Sequence, residues 1–168
     1  MGRLTRNQVV DDSIKSYQAK LLAPFAVLGI RTEEDWLTAI DYLPVDTPLL
    51  APQTLLAREV CRQLQAYLNE PDFVFDLSLH ISGTTHQQRV WQAIQAIPSG
   101  VTSSYAEIAT QLHSAPRAVG RACGANRIPI VIPCHRVIAK NGGLGGFMNA
   151  SEGNPLEIKR WLLRHEST

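Results

Sequence analysis

The sequence predicts an α/β protein in two parts: a small sheet with one helix over residues 1–81, then a mostly helical part over residues 82–168. Three observations carry this. Residues 15–43 break into short apolar runs separated by turn residues, a strand pattern. Leu56, Val60, Leu64 and Leu68 recur at every fourth position, a helix pattern. Beyond Gly83, two capping-box patterns open closely spaced helical stretches.

Taken in order, the first dozen residues are polar and expected to be loose. Lys15 to Ala23, Phe25 to Thr32 and Trp36 to Leu43 read as strands, with Pro24 and "TEED" marking the turns. "DYLPVDTPLLAPQ" carries three prolines and reads as a loop. A helix is expected from Thr54 to Leu68, ended by Asn69 and Pro71, and Leu77 to Ile81 alternates as a strand would. This first part shows no cluster of chemical residues. The boundary falls at Ser82–Gly83. Thr85-x-x-Gln88 is a capping-box pattern, with Val90, Trp91, Ile94 and Ile97 as the apolar stripe behind it. "PSG" at 98–100 stops that helix. Ser104-x-x-Glu107 opens a second helix to about Leu112, and Pro116 starts a third that runs to about Asn126. Two short helices joined by a brief turn suit a helix-turn-helix; a plain helical hairpin within a core has the same spacing. "IPIVIP", residues 128–133, reads as a buried strand.

Composition excludes several classes. The longest apolar stretch, "LLAPFAVLGI", is broken by Pro24 and too short to span a bilayer, so no membrane partner is expected. Three cysteines behind no secretion signal point to reduced thiols and a cytoplasmic protein. No Cys/His spacing resembles a metal site, and no metal or soluble cofactor is expected. The formal net charge of +1 hides a division: residues 1–81 carry 7 Lys/Arg against 11 Asp/Glu, and residues 82–168 carry 9 against 4. No acidic residue occurs between Glu107 and Glu152, where Arg117, Arg121, Arg127, Arg136 and Lys140 all lie. A phosphate backbone is attracted by such a field; a merely solvated basic surface is the plain alternative.

The third helix adds to this. Val119, Ala122 and Cys123 share a face that can pack inward, while Arg117, Gly120, Arg121 and Gly124 share another. Glycine within a helix costs about 1 kcal/mol relative to alanine, so two beside two arginines call for a reason. Close approach of DNA to the helix backbone is one; tight packing of another helix is the other. Cys134, His135 and Arg136 then follow the apolar segment. A thiol reacts as thiolate and needs a base or positive surroundings. His135 can serve as base, with Arg136 and Lys140 raising the local potential. Neighbouring side chains on an extended strand point to opposite faces, so a water relay fits better than direct contact. Cys61 and Cys123 read as buried packing residues.

"IPCHRVI" behind a helix-turn-helix closely resembles the signature of the O6-alkylguanine-DNA alkyltransferases, direct-reversal DNA repair proteins. "GTTHQQRVWQAIQAIPSGVTSSYAEIA", "RAVGRACGAN" and "RWLLRHE" resemble further blocks of that family in the same order. The resemblance covers residues 83–147 and 159–166; over residues 1–81 it is architectural only. It implies a ribonuclease-H-like N-terminal domain, residues 1–81, and a winged helix-turn-helix-like C-terminal domain, residues 82–168, that holds the active site. It implies that Cys134 is the permanent alkyl acceptor, that His135 activates it through a water, and that Glu166 orients His135. Asn126 would be the hinge asparagine. Arg117 would be the finger that replaces the extruded base, and Tyr105 would press on the target's phosphate. Thr84, Gly120 and Arg121 would complete the DNA-binding surface, and Val137, Phe147 and Met148 the substrate pocket. The implied partner is duplex DNA carrying O6-alkylguanine, with O4-alkylthymine as a second lesion. The protein would bind as a monomer, with cooperativity on DNA left open, in the cytoplasm or at the nucleoid of a bacterium.

The sequence departs from the family pattern at four places: His86 replaces an aromatic residue, the turn from Tyr105 to Arg117 is shorter, Phe147 and Met148 replace hydroxyl-bearing residues, and the loop 149–157 is longer. A non-enzymatic binder of alkylated DNA is the alternative, with Cys134 arguing against it. A Cys-His hydrolase would need an oxyanion hole. A transcription factor would need long polar side chains where "RAVGRACGA" offers alanine and glycine.

Overall fold

A computed structural model describes residues 17–145 and 154–167. Strands β1 (Ala19–Leu22), β2 (Val27–Glu33) and β3 (Trp36–Leu43) form an antiparallel meander in that order. Register pairs Ala19 with Ile30 and Val27 with Leu43, and the ladder shifts between Arg31 and Thr32. Strand β2 is buried from Val27 to Ile30 on both faces, which is why its sequence runs apolar without alternation. Helix α1 (Leu55–Asn69), capped by Thr54 accepting from the amide of Ala57, covers one face. Its buried side is Ala57, Val60, Cys61, Gln63, Leu64 and Tyr67, so the expected stripe is buried at its centre, Val60 and Leu64, while its ends, Leu56 and Leu68, are only half-buried.

Helix α2 (Thr85–Gln95) begins one residue earlier than the spacing suggested. Thr84, not Thr85, accepts from the N3 amide, and Gln87, not Gln88, returns the bond. Both pairs fit the capping-box pattern in sequence; the structure uses Thr84 and Gln87, and Val90, Trp91 and Ile94 are buried behind them. Helix α3 (Tyr105–Leu112) carries the expected box of Ser104 and Glu107. Left-handed His113 ends it, and after Ser114 and Ala115 helix α4 (Pro116–Gly124) begins. Two-residue strands β4 (Ser103–Ser104) and β5 (Val137–Ile138) pair in parallel. Helix α5 (Asn154–Glu166) closes the fold. The stretch read as a long loop, 149–157, is therefore already helical from Asn154.

Two expected strands are absent among the described residues. Leu77 to Ile81 runs beside β3 but meets it at one bridge: Leu37 N–H donates to Ser78 O and accepts His80 N–H at its own carbonyl. The segment Ile128–Pro133 is buried, as expected, but it is a turn. Ile132 N–H donates to Ile128 O at 2.9 Å, and Ile130 has φ +74, a strained conformation for a β-branched residue. Prolines at 129 and 133 lack the N–H groups a ladder needs, which removes the strand alternative.

One apolar core joins both parts of the chain. It runs from Leu28, Ile30, Leu37 and Ile40 through Val60, Leu64 and Tyr67 to Trp91, Ile94, Val119, Ile128 and Leu162. Ile40 N–H in β3 donates to Arg127 O just past α4, so the sheet also grips the segment that leads to Cys134. No described helix is long and apolar enough to cross a membrane.

Candidate active site

Cys134 opens a short 3-10 helix, Cys134–Arg136, directly after the buried turn. Asn126 shapes that turn. Its Oδ1 accepts from the amide of Ile128 at 2.9 Å, while its Nδ2 donates to Ile132 O at 2.9 Å and to Cys134 Sγ at 3.2 Å. One side chain thus closes the turn and touches the sulfur, and its own amide bonds back to Cys123 O in α4. The 3-10 geometry also replaces the strand-end placement inferred for Cys134 from sequence.

His135 is fully buried. Its Nε2 lies 2.8 Å from Glu166 Oε2, and its Nδ1 has no hydrogen-bond partner among the described residues. With Glu166 accepting from Nε2–H, Nδ1 carries the lone pair a base needs. Burial holds the imidazole below its ordinary value, against the pull of Glu166, so it is neutral at pH 7. Burial alone would raise the Glu166 carboxyl. Hydrogen bonds from His135, Arg136 and Tyr67 overcome it and hold the group well below the carboxylate range. Arg136 gives a two-pronged contact, Nε to Oε1 at 2.8 Å and Nη2 to Oε2 at 2.9 Å, and its Nη1 donates to Ile97 O.

This geometry corrects the electrostatic expectation. Burial pushes the Cys134 thiol up to about 11, and the Asn126 hydrogen bond and Lys159 offset only part of that. Arg136 is spent on Glu166 and Lys140 sits exposed in a turn, so neither leaves a standing thiolate. The proton has to be taken by a base. The nearer cation is Lys159, which sequence reading missed. It is fully buried, donates to Val137 O at 2.8 Å and Leu144 O at 2.5 Å, and is lowered to about 8 by burial. Its position seven residues before Glu166, two turns along one helix, was a legible signal. Tyr67 was also missed: its hydroxyl donates to Glu166 Oε2 at 2.7 Å, across 99 residues of sequence, which no local pattern reports. The first part of the chain therefore does contribute a chemical group to the site.

Tyr105, half-buried, lies between α4 and the glycine turn: a Cβ on Gly120 would stand 4.0 Å from its ring, and a Cβ on Gly145 only 2.9 Å. At φ +67, Gly145 thus lets the turn close against Tyr105, while Gly120 has room for a methyl. Arg117 and Arg121 are exposed on α4, and Thr84 is exposed at the start of α2. Val119, Ala122 and Cys123 form the inward face of α4, and Trp91 Nε1 pins that helix by donating to Ala122 O. Cys61 and Cys123 are buried, and burial pushes Cys123 up to about 12. His86 bonds Ser114 Oγ at 2.8 Å, joining α2 to the turn before Arg117. Val137 is buried in β5. Phe147 and Met148 lie outside the described residues.

The family model for the DNA-binding domain of 6-O-methylguanine DNA methyltransferase matches residues 85–168. The methylated-DNA--protein-cysteine methyltransferase of Methanosarcina acetivorans is 35% identical over 90% of this chain and 99% of its own length. The regulatory protein Ada of Salmonella typhimurium is 46% identical over 57% of this chain, which spans only 28% of that longer protein. Among solved structures, the Mycobacterium tuberculosis OGT in complex with DNA aligns with TM-score 0.72 and 35% identity, over 88% of this chain and 91% of that one. The protein therefore belongs to the O6-methylguanine-DNA methyltransferase family, whose members are methylated-DNA--protein-cysteine methyltransferases.

Proposed function

We propose that this protein repairs duplex DNA by transferring the alkyl group of O6-alkylguanine to Cys134, irreversibly and once per molecule. The observation that carries this reading is the Asn126–Cys134 and His135–Glu166 arrangement: a fixed thiol beside a neutral, oriented imidazole. On this reading His135 Nδ1 accepts the thiol proton through a water. The thiolate sulfur then displaces guanine O6 from the alkyl carbon, forming a C–S bond as the C–O bond breaks. The guanine leaves with its electron pair and takes up a proton. A thioether has no carbonyl for water to attack, so the sulfur stays alkylated.

The lesion atom lies inside the duplex, so the base has to be extruded at a cost of a few kcal/mol. Exposed Arg117 at the start of α4 suits the role of the residue that fills the gap, and Tyr105 that of a wall against the target's phosphate. The small, half-buried Gly120 and Gly124 suit an approach through the minor groove, with Arg121 and Thr84 on the backbone. The backbone at Val137 and the residues Phe147 and Met148 are the proposed pocket. We read α3 and α4 as a winged helix-turn-helix, with β4 and β5 as the base of the wing, and the first part of the chain as ribonuclease-H-like. The M. tuberculosis relative in complex with DNA supports DNA as the partner.

The test is a titration with a duplex carrying O6-methylguanine. Restored guanine should reach a plateau at one per protein, and Cys134→Ser should bind the duplex without restoring any. Turnover beyond one, or tight binding with no restoration by the unaltered protein, overturns the reading; the second result would identify a lesion binder.

A further inference from the structure

We propose that Tyr67, from helix α1, is a positioning residue for methyl transfer: its hydroxyl holds the Glu166 carboxylate that orients His135, so the site is assembled from both parts of the chain. This rests on the reading of Cys134 and His135 just given and assigns a role to the first part that neither the motifs nor the family resemblance reaches.

The Glu166 carboxylate is held through both of its oxygens. Among the described residues, Oε1 accepts from Arg136 Nε only. Oε2 faces three donors: His135 Nε2 at 2.8 Å, Arg136 Nη2 at 2.9 Å and Tyr67 Oη at 2.7 Å. Arg136 sets the plane of the carboxylate through its paired contacts. It leaves the oxygen that meets His135 with room for another donor, and Tyr67 occupies it. The shortest of the three contacts to that oxygen thus comes from outside the part of the chain that carries the motif.

Tyr67 is itself fixed on several sides. It is fully buried, its ring lies 5.6 Å from that of Phe75, and the His165 ring meets it edge-on at 5.1 Å. His165 also bonds the Tyr67 carbonyl at 2.8 Å, so α1 and α5 are stitched at one point by backbone and side chain together. A tyrosine needed only to fill space would have no reason to aim its hydroxyl at an oxygen already holding two donors. A phenylalanine would fill the same core.

The chemical consequence has a sign. A hydroxyl bonded to Oε2 draws charge away from the oxygen that meets His135. Removing it makes the carboxylate a stronger partner for the imidazolium, so His135 holds its proton to higher pH. The charged and titratable groups around this pair are Glu166, Arg136, Lys159, Cys134, Tyr67, Tyr42 and His165. Only the Tyr67 hydroxyl is removed by Tyr67→Phe.

The experiment compares unaltered protein, Tyr67→Phe and Phe75→Leu. For each, the single-turnover rate of methyl transfer is followed against pH at saturating DNA, and the His135 imidazole is titrated by nitrogen NMR without DNA. Tyr67→Phe should raise both the acid limb of the rate and the NMR midpoint by about half a unit to one unit. Its DNA affinity should stay unchanged. Phe75→Leu loosens the packing around Tyr67 but keeps the hydroxyl, so it should lower the melting temperature and leave both midpoints in place. Unchanged midpoints in folded Tyr67→Phe overturn the proposal, as do equal shifts in the two variants. Should Tyr67→Phe fail to fold, the 3-fluorotyrosine protein keeps the ring and strengthens the donor. Its midpoint should fall, and an unmoved midpoint there overturns the proposal too. If the unaltered protein transfers no methyl, the function assigned to Cys134 fails instead, and the NMR titration still decides the role of Tyr67.

Discussion

Cys134 is a buried thiol and His135, the next residue, a buried imidazole held by Glu166; on the proposed reading that base sets the reactivity of the thiol. Because burial pushes the thiol up to about 11, iodoacetamide should alkylate Cys134 in the free protein slowly at pH 8, with the rate rising above pH 9; saturation below pH 9 would contradict this. His135 titrates in the opposite sense. Its value is lowered, so the neutral base persists below 6.5, and methyl transfer should stay flat through neutral pH and fall only in acid. Glu166, which bonds His135, also supports stability. Its depressed carboxyl contributes stability that is present above the ordinary 4.5 and lost as pH falls below it. Glu166→Ala leaves Arg136 buried without its partner and should cost about 3–5 kcal/mol, read as a drop in the urea midpoint. The cysteine and histidine were legible because they sit in a compact motif. The polarity of their surroundings was not, because the partner that neutralises Arg136 lies 30 residues away.

At the scale of elements, local chemistry predicted helices better than strands. Capping by Thr54 and by Ser104 with Glu107 is readable because both partners lie within one turn. The box expected at Thr85 and Gln88 forms one residue earlier, at Thr84 and Gln87, because adjacent Thr and Gln pairs fit the same local pattern. The turn at 128–133 misled because an apolar run reports burial and not backbone shape. Helix α4 yields a sharper test. Gly120 has space for a methyl 4.0 Å from the Tyr105 ring, so no packing contact among the described residues requires glycine there. Gly120→Ala should therefore stabilise the protein by about 0.5–1 kcal/mol, seen as a higher melting temperature. If the glycine serves DNA approach, the same variant should weaken duplex binding. A variant that is more stable and binds as before would remove that reason for the glycine.

Across the whole molecule, charge and motifs divide at residue 82 while the core does not. Ile40 holds Arg127, Tyr67 holds Glu166, and α5 packs back toward Phe25 through Trp161, whose ring lies 4.8 Å away. The sequence marked the boundary through a change of punctuation and composition, but contacts that cross it leave no periodic trace. Urea unfolding should accordingly be one transition, with Trp36 and Trp91 fluorescence, read in single-tryptophan variants, changing together; separate midpoints would mean two independent units. On the proposed function, one molecule accepts one alkyl group at one sulfur. After incubation with excess O6-methylguanine duplex, the peptide carrying Cys134 should be heavier by one CH2 group in every molecule, with the Cys61 and Cys123 peptides unchanged. A Cys134 peptide of unaltered mass in protein that has bound the duplex, or the methyl group on another residue, would contradict it.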